Sequence, residues 1–154
     1  MKTIHERGFT LVEMLVVIGL IALLSSVVLV AVNPVRQFKL ARDSARSAHL
    51  VAILNAIGQD MAENKGQFFC GTSTKALPST ETLISSGAEG FELASCIVPI
   101  YLASIPYDPS DASAHFKDMS DYNTGYSIFQ DSNSHITLNA QSEIDTSKPI
   151  SATR

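Results

Sequence analysis

The sequence predicts an α+β protein in which one long N-terminal helix, half membrane-spanning and half amphipathic, packs on a small antiparallel β-sheet. Three patterns predict it. Met14–Val32 is a run of 19 residues without a charge, long enough as a helix to cross a bilayer core of ~30 Å. Val35–Asn64 contains no proline, and its apolar residues recur at the helical period. Tyr126–Phe129 and His135–Asn139 alternate in polarity on either side of the polar stretch Gln130–Ser134, the pattern of a β-hairpin.

The chain has 154 residues. Setting aside the apolar segment and what precedes it leaves about 120, room for one modest core. Its 11 basic and 15 acidic residues give a net charge of −4, so no general basic field draws nucleic acid to it. The imbalance is concentrated late in the chain. From Ile100 onward Asp108, Asp111, Asp118, Asp121, Asp131, Glu143 and Asp145 face only Lys117, Lys148 and Arg154.

Residues 1–8 are short, polar and basic, and they lead into Phe9-Thr10-Leu11-Val12-Glu13 before the apolar run. An ordinary secretory signal has a shorter apolar core and a small-residue cleavage site behind it; Val30–Pro34 is a poor one. Glu13 is the only charge between Phe9 and Val32. A carboxylate at that depth costs a few kcal/mol unless paired or near the headgroups. It stands ~6 Å along the helix axis from Phe9, too far for a good direct bond. A buried carboxylate seeks an opposite charge.

Arg7-Gly8-Phe9-Thr10-Leu11-Val12-Glu13 followed by a long apolar helix resembles the type IV prepilin signal (class III signal), shared by type IV pilins, type II secretion pseudopilins and competence pseudopilins. The resemblance implies a pilin-like fold and a structural subunit that polymerises. A membrane-embedded prepilin peptidase is expected to cut after Gly8 and to methylate the new amine of Phe9. Glu13 is expected to pair with the Phe9 amine of a neighbouring subunit. The partners implied are further copies and other pilins in a helical filament, the peptidase, an inner-membrane assembly platform, and membrane lipid before assembly. The expected place is a single-pass inner-membrane protein with its C-terminal part outside the cytoplasm, then a periplasmic or surface filament. Protein secretion, adhesion and motility are the functions such filaments serve. A membrane-anchored binding domain that stays monomeric and a DNA-uptake pseudopilin are the alternatives.

The expected divisions are 1–8 (leader), 9–32 (membrane and assembly half of the helix), 33–65 (amphipathic half) and 66–154 (loops and sheet). Pro34 lies just beyond the apolar run rather than inside it, as in many pilins, and predicts a kink or local unwinding at Asn33–Pro34. Lys65-Gly66 is a good helix stop. At 100° per residue Ala41, Ala45, Ala48, Ala52 and Ala56 form one stripe, and Leu50, Ile53, Leu54, Ile57 and Met61 lie opposite. The large residues suit the protein's own sheet. The alanines suit close approach of neighbouring helices, as do Gly19, Ala22, Ser25 and Ser26 earlier, or simply favour helix.

Arg36, Lys39, Arg42 and Arg46 project within about a third of the helix circumference. They suit acidic headgroups and acidic neighbours, or form a solvated face. Counted against Lys2 and Arg7, they would by themselves place the C-terminal part in the cytoplasm; the processing signal and the cysteines favour the opposite orientation.

Residues 67–96 read as loop, with one short helix near Glu81–Ser85. Cys70 and Cys96 are too far apart for a CxxC site. Behind a membrane segment they suit a structural disulfide, the alternative being two unrelated buried thiols. Val98–Leu102 and Ile105-Pro106-Tyr107-Asp108-Pro109 resemble the segment before the sheet in major pseudopilins. Asn123-Thr124-Gly125 reads as the turn into the hairpin, whose inner face is Tyr126, Ile128, Ile136 and Leu138. Asp108, Asp111, Asp118 and Asp121 read as one acidic loop. Calcium is often bound there in the resembling pseudopilins; a solvated loop is the other reading, since the spacing is no EF-hand. His49, His115 and His135 lack ligand spacing with the cysteines, and no nucleophile, phosphate-binding or HExxH motif occurs. Neither a catalytic residue, a resident metal nor any other cofactor is expected, and the chain is read as no enzyme.

Overall fold

The structure, a computed structural model, describes residues 8–154, so the leader reading over residues 1–7 lies outside the described residues. Two compact units divide between Phe38 and Lys39.

In the first unit, Thr10 opens helix α1 (Leu11–Val32), none of whose side chains is buried. Asn33 ends it in the left-handed region at φ 45°. Helix α2 (Pro34–Glu63) begins at the next residue. Proline suits that first helical position because its missing N–H would have had no partner there. The Asn33 carbonyl accepts the N–H groups of Arg36 and Gln37, and its side-chain oxygen also accepts that of Arg36. The expected irregularity at Asn33–Pro34 is thus one residue wide and capped.

The second unit takes up α2 from Lys39. Leu50, Ile53, Leu54 and Ile57 are buried in one core with Tyr122, Tyr126, Ile128, Ile136 and Leu138. Helix α2 stops where Lys65 and Gly66 turn to positive φ (57° and 86°), and the Gly66 N–H returns to the Met61 carbonyl at 2.8 Å. Beyond it run β1 (Phe69–Cys70), β2 (Ser73–Thr74), β3 (Thr82–Ser85), a short helix α3 (Ala94–Ile97), β4 (His115–Asp118), β5 (Asp121–Gln130), β6 (Ile136–Ala140) and β7 (Ile150–Thr153). The main sheet is antiparallel in the order β3-β5-β6-β7, with β4 also on β5. The predicted hairpin pairs Ile128 with Leu138 and Gln130 with Ile136. Its four predicted inward residues are all buried. Cys70 and Cys96 are joined in a disulfide that links β1 to α3.

Three local expectations are corrected. Glu81–Ser85 is not helical: Thr82–Ser85 is strand β3, and the β-branched Thr82 and Ile84 favour that state. Asn123–Gly125 is not a turn but the middle of β5, whose alternation of buried residues continues through Tyr122, Thr124, Tyr126 and Ile128. The chain reverses instead between Asp118 and Asp121. Ala56 does not belong to an outward stripe; it is buried with the large residues. The buried arc of α2 is wider than its leucines and isoleucines alone indicated.

Candidate functional site

At the head of α1, sequence and geometry meet in a capping box. The Glu13 N–H donates to Thr10 Oγ1 at 3.2 Å. The Glu13 carboxylate in return accepts the Thr10 N–H and the Thr10 hydroxyl, each at 2.8 Å. Two N–H groups that a helix start leaves without partners are satisfied reciprocally. Sequence reasoning sought a counter-charge for Glu13 and passed over this neighbour. The signal was present: threonine followed three residues later by glutamate ahead of an apolar run is a capping-box signature. Gly8 and Phe9 precede the helix, and Phe9 is 82% exposed. Among the described residues nothing occupies the space that a Cβ at Gly8 would take. The fold therefore gives no packing reason for glycine there.

A second charged centre lies in the globular unit. Arg46, on α2, is buried among three carboxylates. Its guanidinium donates to both Asp108 oxygens at 2.7 and 2.9 Å, to Asp43 at 2.7 Å, and to Glu143 at 2.8 Å. It also reaches Ser110 Oγ at 2.6 Å. Arg42 donates to Glu143 from the preceding turn. Asp43 accepts from the Ser142 hydroxyl and the N–H groups of Glu143 and Ile144. Helix α2, the segment before β4 and the β6–β7 connection are thereby tied at one point. The two arginines hold Glu143 well below the usual carboxylate range, Arg42 contributing most. Burial alone would raise Asp108, but Arg46 and the N–H groups of Ser110 and Asp111 outweigh it and the group is lowered. Asp108 in turn raises Arg46.

Two of the four basic residues of the predicted stripe, Arg42 and Arg46, thus serve the protein's own fold rather than lipid or a neighbour. Their helical angle gave the clue. They share an arc with Leu50, Ile53 and Ile57, so the buried face continues through them. Asp60, also buried, accepts the Phe69 N–H at 2.9 Å and the Asn64 amide at 2.9 Å, fixing the end of α2 to β1.

Asp108, Asp111, Asp118 and Asp121 do not form one loop: the first two precede β4, and the others flank the β4–β5 reversal. Asp121 accepts from Lys117 at 2.6 Å and meets His115 at 2.9 Å. Many of the late carboxylates close turns. Asp108, Asp111, Asp118, Asp131 and Asp145 each accept the N–H two residues on, at 2.7–3.1 Å. An Asp side chain doing so mimics a backbone turn. The acidity of this region is a consequence of turn chemistry that an Asp-x-Ser or Asp-x-Asn scan would have found. His49 Nδ1 lies 2.8 Å from the Tyr126 hydroxyl, and burial lowers its pKa. His135 faces Asp131 at 3.0 Å. Cys70, Cys96 and Glu92 come close together, but both sulfurs are spent in the disulfide.

No curated protein and no solved structure matches the chain. Its residues 4–29 match the model of the prokaryotic N-terminal methylation motif, and α1, which those residues enter, is long and apolar enough to cross a membrane. The chain carries the class III signal of type IV prepilins and pseudopilins.

Proposed function

We propose that this chain is a structural subunit of a type IV pilus-like or type II secretion pseudopilus filament. The observation that carries the reading is the methylation motif over residues 4–29, with Glu13 as the single charge in the apolar helix it opens. Prepilin peptidase hydrolyses the Gly8–Phe9 bond, frees the Phe9 amine and methylates it. Gly8 suits that cut, since nothing in the described fold demands a glycine there. Before assembly Thr10 satisfies the Glu13 carboxylate within the chain. On assembly the same carboxylate turns to the Phe9 amine of an adjacent copy, where opposite charges in a dry bundle fix the register. The globular unit then lies outside the cytoplasm. The disulfide supports that orientation.

The capping box also favours a second reading, a monomeric anchored domain in which Glu13 is only a helix cap. Glu13→Gln separates the two, because glutamine at this position keeps the cap and loses the charge. In the filament reading, Glu13→Gln abolishes filaments while helix content and membrane insertion stay unchanged. The cap reading predicts no difference from wild type. Intact mass and N-terminal sequence of the protein from its native membrane test the processing step. A chain starting at methylated Phe9 is expected, and one still starting at Met1 would sink the filament proposal.

A further inference from the structure

The first two turns of α2 carry features that neither the fold nor the filament proposal uses. Val35 and Phe38 are 64% and 65% exposed. Arg36 is exposed and Lys39 partly so. Among the described residues neither cation takes part in an ion pair, although Arg42 and Arg46 on the same arc are both neutralised by carboxylates. Successive members of each pair are three apart, so Val35 and Phe38 share one strip of the helix and Arg36 and Lys39 the adjacent one. The segment starts two residues after the apolar helix ends at Val32. It therefore lies within about two helical turns of the hydrocarbon edge.

We infer that Val35, Arg36, Phe38 and Lys39 form a collar that binds the headgroups of anionic phospholipids. An acidic protein surface would answer the two cations and leave the exposed valine and phenylalanine in water. The membrane interface answers both strips at once. Aromatic and aliphatic side chains enter the acyl boundary, while arginine and lysine reach the phosphates on flexible stems. Anionic lipid adds attraction at each cation near the surface. The inference rests on the membrane anchoring of α1, and it names the partner of the monomer before any filament forms. Leaving the membrane then requires release of these headgroups, so anionic lipid content sets how readily the subunit is extracted.

The chain contains no tryptophan, and Phe38→Trp places a single reporter in the collar. The full chain carrying it is reconstituted into phosphatidylcholine vesicles with 30% phosphatidylglycerol. In parallel samples either the anionic or the zwitterionic lipid carries bromine near the headgroup end of its acyl chains, at equal mole fraction. Quenching per brominated lipid is expected to be at least about twofold stronger from the anionic species. Adding Arg36→Gln and Lys39→Gln should bring that ratio to one. Equal quenching by both lipids in the chain with both cations intact overturns the inference, as does a preference that survives their removal. Glu13→Gln in the same vesicles should leave the ratio unchanged, so a failure of polymerisation and a failure of headgroup binding are read separately.

Discussion

Arg46 brings one positive charge into a buried site with Asp43, Asp108 and Glu143, and the arrangement stands only because every partner is hydrogen-bonded. Burying the guanidinium is costly in itself, so the cluster is better read as a fixing point than as a large net source of stability. Removing one member is another matter. Arg46→Met leaves Asp108 buried without its cation and should lower stability by about 3–5 kcal/mol. Arg46→Met with Asp108→Leu should recover a good part of that loss in chemical denaturation, and strict additivity would show that the two do not act together. Both Asp108 and Glu143 are held below their ordinary values. The stability they supply is therefore complete above the usual carboxylate range near pH 4. It is lost as pH falls below that range toward the lowered native values. Arg46→Met should flatten this acid limb, which a pH series of melting midpoints measures.

At the scale of elements, β5 shows how far pattern reading reaches. The two halves of the hairpin, their inward residues and the stop of α2 at Lys65-Gly66 were legible because periodicity and turn chemistry pointed the same way there. Gly125 was not. Glycine after asparagine and threonine reads as a turn, yet here it stands inside the strand at φ 72°. A Cβ on it would lie 3.1 Å from the Asp108 Cβ and 3.2 Å from an Asp111 oxygen. The reason for the glycine is thus a segment that passes close to β5 from elsewhere in the chain, which a local pattern does not reveal. Thr82–Ser85 was missed for a related reason: a four-residue edge strand is defined by its partner Ile128–Asn123 and hardly by itself. The Arg46 centre was half legible. Its helical face was on view in the spacing, but Asp108 and Glu143 come from 62 and 97 residues away. Gly125→Ala combines an unfavourable left-handed backbone, about 1–2 kcal/mol, with the approach to Asp108. The expected result is a destabilisation of at least that size, with the Asp108–Arg46 pair disturbed. A neutral outcome in thermal unfolding would mean that the 108–111 segment moves aside at little cost.

For the whole molecule the disulfide is a large part of what holds the globular unit together. It ties β1 to α3 across a sequence separation of 26, and the chain it encloses carries β2 and β3, one edge of the main sheet. In the chain-entropy account, closing a loop of that length contributes about 3.5 kcal/mol. Domains of this size have totals of about 5–15 kcal/mol, so the bond supplies between a quarter and more than half. Cys70→Ser with Cys96→Ser in the full chain should lower the melting midpoint of the globular unit by about 10–15 °C. Reduction of the wild type should do the same, read by the tyrosine signal in near-ultraviolet circular dichroism. The two results bear on orientation as well as stability. A unit that loses this much on reduction is favoured where thiols stay oxidised, which under the proposed orientation is the outer side of the membrane. A midpoint that hardly moves would remove that constraint. The side of the membrane would then rest on the prepilin signal alone, against the four cations Arg36, Lys39, Arg42 and Arg46.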